Sequence, residues 1–266
     1  MKKKIMNLLA VICLLVALGC GGYLAYYYYV NARSEAAISE LSGLLENNYS
    51  VNGNVDKGNE PELVDVDGVM IQKKFEKLYQ KNHDFLGWIK ISDTHIDYPV
   101  MYTPNDNENG EYYIHRNYEK EYSAAGLPFV DANCDVKLPT DNIIVYGHNM
   151  NSGTMFHDIL QYAQEEFYRT HKTFRFDTIF EDGEYEVVAM FYGQILDKNS
   201  KNFKYYEFVN AGNKEEFMDF VNNIKAMSVI DTGVEVEYGD KLLTLSTCAY
   251  HVEDGRFAVI AKKKQD

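Results

Sequence analysis

The sequence predicts a mainly β domain of barrel type, carried behind one membrane-length helix. Three observations predict it. From Phe85 onward, short runs of β-branched, aromatic and aliphatic residues recur between polar turns. Helical periodicity interrupts them at Met155 to Ala163 and at Lys214 to Met227, the latter inside a long connection. At the amino terminus, Met1, Lys2, Lys3 and Lys4 are followed by no charged residue before Arg33.

The apolar run from Ile5 to Val30 exceeds the roughly 20 residues that a helix needs to cross a bilayer core. Lysines before it and an acidic remainder after it predict a single-pass anchor in the cell membrane, amino terminus cytoplasmic and the rest of the chain outside. Tyr26, Tyr27, Tyr28 and Tyr29 suit the far interface, where amphipathic rings prefer to lie. Two alternatives stand beside a permanent anchor. A cleaved signal peptide has a shorter apolar stretch than this one, and lipidation at Cys20 calls for a small residue where Leu18 stands. Residues 1–32 are therefore read as cytoplasmic lysines and anchor.

Residues 33–68 read as a short helix and a flexible stalk. Ala36, Ile38, Leu41, Leu44 and Leu45 recur at near-helical spacing within Arg33 to Asn47, and Asn48 to Gly68 is rich in Asn, Gly, Asp and Glu. A second helical pattern runs from Val69 to Asn82 through Ile71, Phe75, Leu78 and Tyr79, so the folded domain is expected over 69–266. Strands are expected at Phe85 to Ser92, Ile96 to Tyr102, Tyr112 to His115, Leu127 to Asp131, Ile143 to Tyr146, Thr173 to Ile179 and Tyr185 to Ile195. Lys214 to Met227 sets Phe217, Phe220, Val221 and Ile224 on one helical face.

Lysine and arginine number 26 against 40 aspartates and glutamates, a formal net charge of -14 at pH 7. Nucleic acid is a poor partner for so acidic a surface. Of four cysteines, Cys13 and Cys20 fall in the anchor, leaving Cys134 and Cys248, too few for a disulfide scaffold. Asn105, Asn107, Asn109 and Gly110 imitate a calcium loop, yet its last position holds Arg116 rather than a carboxylate. His148 and His157 lack partners at zinc spacing, and there is no phosphate-cradling loop or G-x-S-x-G elbow. Neither a metal nor an organic cofactor is expected.

The chemistry gathers in Leu242 to Ala261. Leu242 to Thr247 reads as a buried strand that ends at Cys248, and Glu253, Asp254 and Gly255 make a turn before strand character resumes at Arg256. A hairpin of that length returns Arg256 beside Cys248, where a fixed positive charge can lower a thiol pKa or hold an oxyanion. His148 also stands at a strand end, after Asn142 to Tyr146 and Gly147. A cysteine nucleophile needs an imidazole near it in space rather than in sequence. His251, three residues from Cys248, is the rival, placed in the hairpin loop.

TLSTC at Thr244 to Cys248, Arg256 downstream and YGHNM at Tyr146 to Met150 resemble the signature blocks of class B sortases. FLGWIKI from Phe85, IDYPVM from Ile96, GLPFVD from Gly126, TMF from Thr154 and FYRTHKTFRFDT from Phe167 follow in the family's order, so that the likeness covers roughly residues 70 to 263. The resemblance implies a closed barrel of about eight strands with an amino-terminal helical segment and a helix in the long loop before the cysteine-bearing strand.

It also implies a cysteine transpeptidase of the Gram-positive cell surface. Cys248 would attack the threonine carbonyl of a sorting motif on an exported protein, Arg256 would hold the oxyanion, and His148 would protonate the departing amine. The thioacyl enzyme would pass to an amine of the cell-wall precursor. Motifs in this family read Asn or Ser, Pro, any residue, Thr, then Asn or Gly. Ser246, Tyr205 and Tyr206 are candidate substrate contacts, and with the acidic surface the tyrosines favour a basic variable residue. A membrane-tethered endopeptidase, with water resolving the acyl enzyme, and a non-catalytic surface scaffold are the alternatives.

Overall fold

The computed structural model describes residues 2–45 and 61–265. The chain divides into two units, Met1–Glu40 and Leu41–Asp266. One helix, α1 (Lys2–Ser42), runs unbroken, so the anchor and the expected short helix after it are a single element, long and apolar enough to cross a membrane.

The expected stalk and second helix divide differently. Residues 46–60, the last two of the expected short helix and most of the stalk, lie outside the described residues. Its last part is instead a strand, β1 (Leu63–Val66), turning at Asp67 and Gly68 into β2 (Val69–Gln72), where a helix was expected to begin. Asp67 and Gly68 both have positive φ, 54° and 83°, and Val66 pairs with Val69. That is the two-residue turn an Asp-Gly pair favours, because its twist matches that of the flanking strands. Helix begins only after it, as a 3-10 turn at Lys73–Phe75 and then α2 (Glu76–Lys81), with Phe75 and Leu78 fully buried.

Eight strands then close a barrel: β3 (Phe85–Lys90), β4 (Asp97–Met101), β5 (Phe129–Val130), β6 (Asn142–Tyr146), β7 (Thr173–Thr178), β8 (Glu184–Gln194), β9 (Leu242–Cys248) and β10 (Gly255–Lys263). Around the barrel the order is β10-β8-β7-β3-β4-β5-β6-β9, closed by the pairing of β9 with β10. Two pairings are parallel, β4 with β5 and β6 with β9.

Tyr112 to His115, expected as a strand, is a 3-10 turn. The side chain of Asp106 accepts the backbone N–H groups of Glu108, Gly110 and Tyr112, which curls the chain away from extension. The segment 123–127 completes the departure: Ser123 donates to His115 O and Leu127 to Tyr113 O. Gly126 has φ 56° and approaches so closely that a Cβ there would lie 2.3 Å from the Ile114 carbonyl oxygen. Met155 to Ala163 likewise forms a 3-10 helix, Phe156–Ala163, rather than an α-helix, followed by α3 (Glu165–Thr170).

The pleat of β9 gives the barrel wall two apolar faces. Leu243 and Leu245, with their partners Ala261 and Val259 on β10, are fully buried on the inner face. Leu242, with Ala258 and Ile260, faces outward and is covered by α4 (Lys214–Met227) through Phe217, Phe220, Val221 and Ile224. The side chain of Asn213 caps α4 by accepting from Glu216 N. This cover seals the start of β9 and stops short of its last residue, Cys248, which remains partly open.

Candidate functional site

Cys248 is the last residue of β9, and its Cα partner on β10 is Arg256. Residues directly opposite in an antiparallel pair share a face with Cβ atoms about 5 Å apart. The thiol and the guanidinium therefore leave the barrel side by side. The loop joining them is held tight: Ala249 N donates to Gly255 O, and a Cβ on Gly255 would lie 2.2 Å from Ala249 O. Arg256 is half-buried, its Nη1 donates to Gly255 O, and among the described residues no carboxylate pairs with it.

On the other side of β9, β6 runs parallel in register, Tyr146 opposite Ser246. The ladder continues past the strand, since Gly147 N donates to Ser246 O and Thr247 Oγ1 donates to Gly147 O. Two residues on from that matched pair stand His148 and Cys248, at the ends of neighbouring strands roughly 4.8 Å apart. Gly147 is required there, because a Cβ would meet the Phe156 ring at 2.6 Å. The three residues singled out in the sequence are thus brought to one end of three adjacent strands.

His148 is half-buried. Its Nε2 lies 2.8 Å from the carbonyl oxygen of Ile114, which can only accept, so Nε2 carries the proton and Nδ1 is bare in the neutral ring. Burial holds the imidazole below its ordinary pKa of 6.5, and the charge of His115 pushes the same way, against the opposing pull of the Ile114 carbonyl. The ring of His115 stacks on that of His148, centroids 5.3 Å apart and planes 20° from parallel.

A clamp ties this loop to the cysteine. Asn149 Nδ2 donates to Cys248 O at 2.9 Å, and Asn149 Oδ1 accepts from His157 Nδ1 at 2.8 Å. Phe156 N donates to His148 O, closing the loop on itself. His157 thus serves as an amide partner. Asn149 and His157 were not legible as such, though Asn149 directly follows His148; no sequence signal pointed to Ile114 and His115.

The candidate substrate contacts differ in exposure. Ser246 and Tyr205 are 1% and 2% exposed, and their hydroxyls bond each other at 2.8 Å. The Tyr205 ring is packed against Phe191 and over Gly193, which pairs with Arg256. Burial pushes the Tyr205 hydroxyl up to about 12. These two side chains brace the wall beneath the site, buried against each other. Tyr206 is half-buried, and its hydroxyl accepts from Leu196 N.

The other histidine and cysteine candidates fall away on geometry. His251 is exposed in the hairpin loop, edge-on to Tyr192 at 4.9 Å. Cys134 is buried, its sulfur accepts from Ile144 N, and burial pushes its thiol up to about 12, a setting for an inert cysteine. A cavity of about 440 Å³ opens beside it, between Val69, Tyr79, His83 and Tyr102, and none of Cys248, His148 or Arg256 lines it.

Fold and site define a class: a closed β-barrel with a strand-end cysteine flanked by a histidine and an arginine. No family model matches the chain. It is 31% identical over 194 residues to Sortase B of Listeria monocytogenes, covering 72% of this chain and 74% of that one. The crystal structure of sortase B from B. anthracis in complex with AAEK1 superposes with a TM-score of 0.70 at 27% identity, covering 90% of this chain and all of the other. A Staphylococcus aureus sortase B–substrate complex gives a TM-score of 0.65 at 30% identity, over 73% and 86% of the two chains. The chain belongs to the sortase B family, whose members are cysteine transpeptidases.

Proposed function

We propose that the chain is a membrane-tethered transpeptidase that cuts a sorting motif of exported proteins after threonine and joins the threonine carbonyl to a cell-wall amine. The observation that carries it is the register: Arg256 directly opposite Cys248 on one side, His148 at the end of the parallel neighbour on the other. Neutral His148 takes the thiol proton, and the sulfur attacks the threonine carbonyl carbon. Arg256, with no carboxylate paired to it among the described residues, stabilises the oxyanion as it develops. The tetrahedral adduct collapses, the C–N bond breaks, and His148 returns the proton to the departing amine. The incoming amine gives its proton to His148, attacks the thioester and releases the sulfur, which recovers the proton.

The solved Staphylococcus aureus relative is a substrate complex, which supports a peptide sorting signal as the ligand class here. An anchor through residues 5–30, with Lys2, Lys3 and Lys4 cytoplasmic, would hold the catalytic unit outside the cell where that substrate and the peptidoglycan precursor amine are found. Trapping tests the reading. A Pro-x-Thr peptide bearing a thiol-directed electrophile should label Cys248 and spare Cys134, and the label should be lost in Cys248→Ala. Equal labelling of the two cysteines would favour a non-catalytic scaffold.

A further inference from the structure

We propose that His115 is a positioning residue for His148: it holds the imidazole in one plane with the Nε2 proton turned to the protein and Nδ1 left as the working nitrogen. The proposal rests on the acid-base role given to His148 above. Two contacts from adjacent residues fix the ring. The Ile114 carbonyl takes the Nε2 proton at 2.8 Å, and the His115 ring covers its face at 5.3 Å and 20°. A hydrogen bond at one ring nitrogen resists swinging that edge away, and a stack resists tilting, so together they restrict the side chain.

The element that supplies both contacts is itself tied down. His115 O accepts from Ser123 N, and Gly126 lies against the Ile114 carbonyl without room for a Cβ. Arg116 forms a bridge with Tyr122, whose ring lies 6.3 Å from His115. The guanidinium of Arg116 turns away to Glu108 and to the Tyr112 carbonyl. Facing His115 are therefore His148 and Tyr122. Against His148 lies His115, and at the neighbouring strand end stands Cys248, with Arg256 as its partner on β10. A proton on His115 opposes one on His148, so the same residue that orients the ring also favours its neutral form. Among the described residues the His115 ring makes no hydrogen bond, which leaves stacking and charge as its two means of action.

Those two means separate by substitution. In the full chain in detergent, with 13C,15N-labelled histidine, the His148 signals are assigned by their loss in His148→Gln. The wild-type ring should be the Nε2–H tautomer with a titration midpoint below 6.5. His115→Phe keeps a stacked ring without charge, so the tautomer should persist, the midpoint should rise, and kcat should stay within a few-fold. His115→Ala removes both, so the tautomers should mix and kcat should fall about tenfold to a hundredfold with little change in KM. An Nδ1–H tautomer in the wild type, or no change of tautomer and midpoint in His115→Ala, would overturn the proposal. Tautomer and midpoint are read without turnover, so a chain that transfers no peptide fails the transpeptidase reading while the spectrum still decides the role of His115.

Discussion

Neutral His148 at pH 7 follows first from its burial, which disfavours the imidazolium and holds the ring below its ordinary 6.5. The unfolded chain holds that proton up to the ordinary 6.5, the folded chain only to a lower pH. Between the two midpoints the unfolded state binds more protons, so folding stability should fall as pH drops through that window and owe nothing to this group above it. Urea titrations from pH 5 to 7.5 on wild type and His148→Gln check the sign: the variant should lose that part of the slope, and a steeper slope in the variant would contradict it. Catalysis is the sharper residue-scale test. Cys248→Ala should abolish acyl-enzyme formation, and His148→Ala and Arg256→Ala should each lower kcat/KM by about a hundredfold or more. Arg256→Lys should fail substantially as well, since a point charge does not reproduce the planar fork. Near-normal turnover in His148→Ala would move the base to His251. That Cys248, Arg256 and His148 come to one end of adjacent strands was legible because strand ends and an eight-residue hairpin leave sequence marks; the burial of Ser246 and Tyr205 against each other was not, because packing under a connecting loop leaves none.

At the scale of elements, the hairpin between β9 and β10 sets the distance from thiol to guanidinium. Gly255→Ala puts a Cβ 2.2 Å from Ala249 O and 2.9 Å from the His251 ring, so the loop must shift. Its melting temperature should fall and its rate of Cys248 alkylation should change together; an unchanged rate would mean that the loop does not position the pair. Leu245→Ala, on the inner face of β9, should cost about 2–5 kcal/mol by urea unfolding. The face of α4 was readable from its period through Phe217, Phe220, Val221 and Ile224, and most barrel strands from short apolar, β-branched runs between polar turns, since they are buried on both faces. The β1–β2 hairpin was written in Asp67-Gly68 between valines, a turn signal masked by its acidic, stalk-like surroundings. The turn at Tyr112–His115 was not readable, because it depends on the three N–H bonds to Asp106 and on the close approach of Gly126, a long-range contact.

For the whole molecule, α1 is long and apolar enough to cross a membrane, and the lysines before its apolar run predict a barrel outside the cell. Protease added to intact cells should remove the barrel and leave about thirty residues embedded; full protection would reverse the orientation. A chain shortened to begin at Pro61 keeps the β1–β2 hairpin and every site residue, and should be soluble and active on peptides. The central claim is transfer rather than hydrolysis at a threonine carbonyl. It is tested most directly by incubating that shortened chain with a library of Asn/Ser-Pro-X-Thr-Asn/Gly peptides and an added amine, with products read by mass. A transpeptidase yields a peptide cut after threonine and joined to the amine, in an amount that rises with amine and vanishes in Cys248→Ala. A free threonine carboxylate whatever the amine concentration would make the chain an endopeptidase, and no cleavage of any Pro-X-Thr peptide would contradict the account outright.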